Sequence, residues 1–280
     1  MQPDTPEARH TGARLENRDK AGKDYWNRQW ASQGDCSGAK SRLLGYRKRK
    51  QLDYLRPALI KHEAAGKEIL ELGCANSEWL PRFAKEFGMR VAGLDYSEQG
   101  CEMAREILRR NHVPGEIYCA DMFHPPEELR NRFDFIASFG LVEHFEDLTN
   151  CLSATAQFLK PGGIAFTCIP NLAGLIGLAQ KWLGPRTYAV HMPWKRDELT
   201  SHLAAAGFNV LDASYVMLND FAACHVDETG GGFSRASRLA AYKWLKRFTA
   251  LAMIAESKTG LYPLNRWTAS YIFTTAQKPR

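Results

Sequence analysis

The run Glu71-Leu72-Gly73-Cys74-Ala75-Asn76-Ser77, followed twenty-two residues after Gly73 by Asp95 in Gly93-Leu94-Asp95-Tyr96-Ser97, constrains this chain more than any other feature. It reads as a buried strand, a tight glycine turn, a helix and a second strand that ends in a carboxylate, the repeating unit of a parallel sheet. A carboxylate at the carboxyl end of such a strand is placed to accept hydrogen bonds from two ribose hydroxyls. The unit therefore predicts a nucleoside-cofactor site, and the chemistry of the turn has to say which cofactor.

A dinucleotide turn carries three glycines, spaced G-x-G-x-x-G, so that a pyrophosphate can lie against backbone amides at a helix N-terminus. Here Gly73 is alone. Ala75 takes the place of the second glycine and Glu78 that of the third, where a carboxylate repels phosphate. A cofactor without phosphate escapes this requirement, needing only close backbone approach to an amino-acid moiety and a thioether. S-adenosylmethionine (S-adenosyl-L-methionine) fits that description, and a nicotinamide-dependent oxidoreductase is the disfavoured alternative.

From Lys67 onward, apolar runs of strand length alternate with helical patterns. Strands are predicted at 68–72, 90–94, 116–119, 133–138, 163–169, 208–216 and 270–276. Helices are predicted at 79–86, 98–110, 148–159 and 197–206, the last stopped by Gly207. Ahead of the sheet, Tyr25, Trp26 and Trp30, then Leu43, Leu44, Leu52, Leu55 and Ile60, suggest two helices that form either a lid or a packed flank. Residues 1–24, rich in charge and poor in periodic apolar positions, read as a disordered tail.

These motifs resemble those of class I S-adenosylmethionine-dependent methyltransferases, closest to the broad type-11/type-12 small-molecule group, over about residues 25–278. The resemblance implies an α/β, Rossmann-like, doubly wound seven-stranded sheet, mostly parallel with an antiparallel last strand. The expected organisation is a helical flank or lid at 25–66 and a methyltransferase domain at 67–280, with a substrate insertion over 218–267 serving as a lid. Glu71, Gly73 and Ala75 match the first-strand motif, alanine replacing its second glycine, and would pass the methionine part of the cofactor. Asp95 matches the ribose acid, and Tyr96 would lie against adenine. Asp121 in Cys119-Ala120-Asp121-Met122-Phe123 would read the adenine amino group, with Met122 donating its amide. Phe133 to His144, ending in Glu143-His144, looks like the fourth strand and its turn, with Phe139 at the strand's end. Leu159-Lys160-Pro161-Gly162-Gly163 looks like the turn entering the fifth strand.

Each position also has a plainer role. Gly73 could serve the strand–helix junction alone, Asp95 could cap the helix beside Ser97, Asp121 could cap the turn toward Pro125-Pro126, and Tyr96 and Phe139 could pack in the core.

Methyl transfer is an in-line displacement at a sulfonium, so a general base is needed only for a nucleophile that holds its proton tightly. His144 and His191 are the candidate bases, since neutral imidazole titrates in the useful range; for His144 the alternative is a histidine that caps a helix or only orients the loop without touching the acceptor. Some related quinol-ring methyltransferases bind magnesium through two glutamates and a histidine at this turn. Glu143 and His144 match, but Gly140 stands where the earlier glutamate would be, so no metal is expected.

The remaining expectations concern partners. Arg42, Arg47, Lys48, Arg49 and Lys50, and again Arg235, Arg238, Lys243, Lys246 and Arg247, contribute to a formal charge of +6. They read as solvated faces or as a footprint for phosphate groups, with nucleic acid unlikely on so weak an aromatic complement. Seven cysteines without a CxxC pair suit reduced thiols and a cytoplasmic setting. No transmembrane segment is predicted, though peripheral membrane contact and a homodimer are both compatible with the sequence. Leu239, Tyr242, Leu245, Leu251 and Ile254 could cover the pocket or pack as core. The acceptor is expected to be a small or lipid-linked molecule methylated on oxygen, with nitrogen close behind; a non-catalytic cofactor-binding protein is the third class.

Overall fold

A computed structural model describes residues 19–32, 42–228, 233–260 and 263–280. In chain order its main elements are α1 (Lys23–Ser32), α2 (Arg42–Lys61), β1 (Glu68–Leu72), α3 (Trp79–Phe87), β2 (Arg90–Asp95), α4 (Glu98–Arg110), β3 (Gly115–Cys119), β4 (Phe133–Phe139), α5 (Leu148–Ala156), β5 (Leu159–Pro170), α6 (Leu175–Leu183), α7 (Pro185–Ala189), α8 (Arg196–Ala205), β6 (Asn209–Leu218), α9 (Arg235–Thr259) and β7 (Ala269–Gln277). The strands form one sheet in the order β3-β2-β1-β4-β5-β7-β6. β1 to β5 are parallel, and β7 runs antiparallel between β5 and β6. This is the expected Rossmann-like sheet.

The central strands are continuous apolar runs because both faces are covered. One core packs Ile69, Phe83, Phe135, Phe166 and Phe273 beneath α2 and α3; the other packs Leu70, Ile136, Leu152, Leu203 and Ile272 beneath α5 and α8. α4 is set by local chemistry: the Ser97 hydroxyl accepts from the Gly100 amide, Glu98 lies in the first turn, and Arg109 and Arg110 lie in the last. Cys101, Ala104 and Leu108 then form its buried stripe.

Four expectations need correction. The helix predicted to Leu159 ends at Ala156, because Leu159 already pairs with Phe133 and begins β5; the Lys160-Pro161-Gly162-Gly163 segment runs within that strand and shifts its register against β4. Residues 19–24, read with the tail, pack on the fold: Asp19 bridges Phe145 and the Lys20 amide donates to the His144 carbonyl at 2.9 Å. Residues 1–18 lie outside the described residues, as do Gly230, Gly231 and Gly232 of the insertion. The basic cluster before β1 is largely turned inward: Arg47 is ion-paired with Asp220, Lys50 with Glu256, and the Lys48 ammonium lies 4.5 Å over the Trp79 ring. Finally, the proposed apolar stripe of α9 splits, Tyr242 and Leu245 packing inward while Leu251 and Ile254 are exposed.

Candidate active site

The parallel strands deliver their carboxyl ends to one edge, and a cavity of about 1210 Å³ opens there. Glu71, Gly73, Ala75, Asp95, Tyr96, Asp121, Met122, Phe139, Glu143, His144 and His191 are brought together around this cavity, Glu71 sitting at the end of β1 behind the turn.

The turn after β1 is built around Gly73, whose φ of +71° favours glycine. A Cβ there would also approach the Leu141 side chain to 3.1 Å. The Gly73 amide donates to the Leu94 carbonyl at 2.8 Å, tying the turn to β2. Asp95 completes the tie: one carboxylate oxygen accepts from the Ala75 amide at 3.2 Å and the other from the Ser97 amide at 2.9 Å. Each oxygen keeps a further lone pair for a ligand. Burial raises the Asp95 pKa, opposed by these backbone donors.

Glu71 is buried, and desolvation lifts its carboxyl well above the usual range, with the Ser77 side chain and Lys48 pulling the other way. Lys48 is shifted down by burial, opposed by Glu71. Lys48 lines the cavity and Glu71 lies behind it, a proximity that local sequence gave no sign of. The Tyr96 hydroxyl donates to Asp19, so the N-terminal segment crosses the same site. Asp121 is half exposed and already engaged, accepting from the Phe123 amide at 3.0 Å and meeting His124 Nδ1 at 2.9 Å. Phe139 stacks on Trp79 with centroids 4.5 Å apart, so it packs as well as lining the cavity.

The opposite wall carries the titratable cluster. After β4, Gly140 turns the chain with φ +74° into a short helical turn, Val142–His144, that buries Glu143 and His144. His144 Nδ1 lies 2.8 Å from the Val190 carbonyl and His191 Nδ1 lies 2.6 Å from the Thr187 carbonyl. A carbonyl only accepts, so both Nδ1 atoms carry the proton and both Nε2 atoms are left with lone pairs. Burial lowers both imidazole pKa values, that of His191 to about 4 with His144 as the second cause. Glu143 is pushed up to about 8 by burial, and its Oε2 has no hydrogen-bond partner among the described residues. Trp26 sets its ring edge-on to His144 at 4.9 Å and stacks on Trp30, which makes α1 a wall of the cavity.

Ligand atoms of Glu143, His144 and His191 all lie within 4.8 Å of one another, a set the sequence did not assemble because His191 follows β5. A Cβ at Gly140 would start 3.6 Å from Glu143 Oε1, but glycine supplies no second carboxylate there. Without it the set is two nitrogens and one carboxylate, whereas magnesium wants an oxygen octahedron. The residues present do not fit that ion.

The comparisons with known proteins decide the family. A family model described as "Methyltransferase domain" matches residues 43–213, more than half of the chain. The chain belongs to this methyltransferase family. Its cofactor is S-adenosylmethionine, and the nicotinamide and non-catalytic alternatives find no support. The methyltransferase is 28% identical over 234 residues to a ubiquinone biosynthesis O-methyltransferase of Chelativorans sp. (strain BNC1), covering 76% of this chain and 88% of the relative. It is 27% identical to the protein of that name from Brucella anthropi, covering 56% and 66%. Among solved structures it shares the fold of the [4+2]-cyclase SpnF, at a TM-score of 0.56 and 18% identity over 88% of this chain and 84% of that one. It also shares the fold of Haemonchus contortus phosphoethanolamine N-methyltransferase 2 in complex with S-adenosyl-L-methionine, at 0.53 and 18%, covering 81% and 53%.

Proposed function

We propose that the enzyme moves the cofactor's methyl group to a hydroxyl oxygen of a small or lipid-linked acceptor, with His144 and His191 as the groups that take the hydroxyl proton. One observation carries this reading: two neutral imidazoles, each held by an Nδ1–H bond to a backbone carbonyl, face one cavity with free Nε2 lone pairs. An oxygen acceptor needs such a group, because its proton must leave as the methyl arrives. The names of the two O-methyltransferase relatives support the same acceptor atom.

In this reading Gly73 and Ala75 pass the methionine part, with Glu71 behind them. Asp95 accepts from both ribose hydroxyls, Tyr96 lies against the adenine, Met122 donates its backbone amide to it, and Phe139 lines the cofactor's part of the cavity. Asp121 reads the adenine amino group by giving up His124. The free thiols among the described residues suit a cytoplasmic setting. Incubating the protein with methyl-labelled cofactor and cell extract tests the acceptor: a product labelled on an ether oxygen is expected, and label found only on nitrogen or carbon overturns the oxygen assignment.

A further inference from the structure

The apolar side chains that face solvent are concentrated. Of the eleven large apolar residues exposed among the described residues, nine belong to α6, α9 and the turns beside them; the others are Ile60 and Leu211. On α6, Leu175, Leu178 and Trp182 recur at i, i+3 and i+7 and form one stripe. The other side of the same helix, through Ile176 and Gln180, lines the cavity. On α9, Trp244 (68% exposed), Phe248 and Leu251 (66%) form a second stripe at i, i+4 and i+7, while Thr249, Met253 and Glu256 turn inward. The rings of Trp182 and Phe233 meet at 5.9 Å and join the α6 stripe to the start of α9.

The charge on this face has one sign. α9 exposes Arg235, Lys243, Lys246, Arg247 and Lys258, and its one acid, Glu256, is buried in an ion pair with Lys50. Arg247 lies 4.9 Å over the Trp244 ring and Arg266 lies 5.0 Å over that of Trp267. Tryptophan beside a long cation is the arrangement that settles at a water–lipid boundary, ring and stem toward the acyl chains and charge among phosphates. A second copy of the chain, docked by a two-fold axis, would set these like charges against their own kind. An anionic bilayer supplies the opposite sign.

We propose that the outer face of α6 and α9 docks on an anionic lipid surface. The inference goes beyond the methyl-transfer reading and does not depend on which atom is methylated. Docking sets α6, a wall of the cavity, next to the bilayer, the source from which a lipid-linked acceptor would enter.

Co-sedimentation of the full chain with unilamellar vesicles tests it. Binding is expected to vesicles of phosphatidylcholine with added phosphatidylglycerol, not to phosphatidylcholine alone, and to weaken as salt is raised. The variants W244S/F248S/L251S and K243E/K246E/R247E are each expected to lower binding about tenfold or more. Unchanged calorimetric binding of S-adenosylmethionine would show that each variant is folded. Should the apolar variant fail to fold, the charge-reversal variant, altered only at exposed positions, carries the test. The proposal is overturned if the native chain ignores the anionic vesicles, if it binds both vesicle types equally, or if a folded variant binds as the native chain does. It is overturned equally if light scattering shows a dimer that the apolar variant splits while vesicles are not bound.

Discussion

The rings of His144 and His191 face each other with centroids 4.4 Å apart, although forty-seven positions separate them in the chain. The backbone enforces the meeting. The Met192 amide donates to the Glu143 carbonyl at 2.6 Å, so the segment after β5 is stitched to the turn after β4. Each imidazole is then fixed by a carbonyl of the His191 segment, Val190 for one and Thr187 for the other.

If this pair takes the acceptor's proton, His144→Ala should lower kcat by about 10²-fold or more, the usual contribution of a positioned base. His191→Ala should have a smaller effect in the same direction. Cofactor affinity, read by calorimetry, should stay near the native value in both. A native kcat in folded His144→Ala would assign that residue to structure. Both folded-state pKa values lie below the ordinary histidine value, so the neutral base persists as pH falls below about 6.5. Turnover should therefore hold across neutral pH and decline only on stronger acidification.

Asp95 offers a second test because its carboxylate serves both the fold and the ligand. Asp95→Asn keeps the shape but loses the charge, and cofactor affinity should fall by about 2 kcal/mol, roughly thirtyfold, if two charge-assisted hydrogen bonds to ribose are weakened. The Ala75 and Ser97 amides would retain one carbonyl acceptor between them, so a modest drop in Tm should accompany the loss. Unchanged affinity in the folded variant would remove the ribose assignment.

The sheet was legible because strands buried on both faces appear as unbroken apolar runs; six of the seven predicted strands begin within a residue of their observed starts. β5 is the exception. Its first residues, Leu159-Lys160-Pro161-Gly162, have turn composition, and only pairing with Phe133 across the sheet makes them strand. Gly73, Asp95 and Glu143-His144 could be placed at one edge because every parallel strand ends there. Lys48 and Asp19 could not. A basic run looks the same whether solvated or folded over Trp79, and nothing near Asp19 signals that Tyr96, seventy-seven residues on, will donate to it.

Glu143 gives a prediction about pH and stability. Its folded pKa, about 8, stands above the ordinary glutamate value, so between about 4.5 and 8 the folded state holds a proton that the unfolded state has released. The stability tied to this proton is full below about 4.5 and is lost as pH rises through 8, amounting to a few kcal/mol at most. Glu143→Gln removes the titration and keeps the volume. Its Tm should exceed that of the native chain at pH 8, and the gap should narrow toward pH 5. Parallel melting curves across that range would rule out the assignment.

The same cluster predicts how the enzyme responds to chelation. Magnesium holds oxygen ligands in a near-ideal octahedron, but at this turn Gly140 contributes no side chain and the remaining set is two imidazoles and one carboxylate. Each imidazole already donates Nδ1–H to a carbonyl, which leaves Nε2 ready to accept a proton without an ion's help. Methyl transfer should therefore proceed at the native rate after dialysis against EDTA, and added magnesium should not raise it. The check is initial velocity, with His144→Ala dialysed in parallel to set the floor. A rate that drops to that floor on chelation and returns with magnesium would show that the histidines act through a metal and not as the proton acceptors.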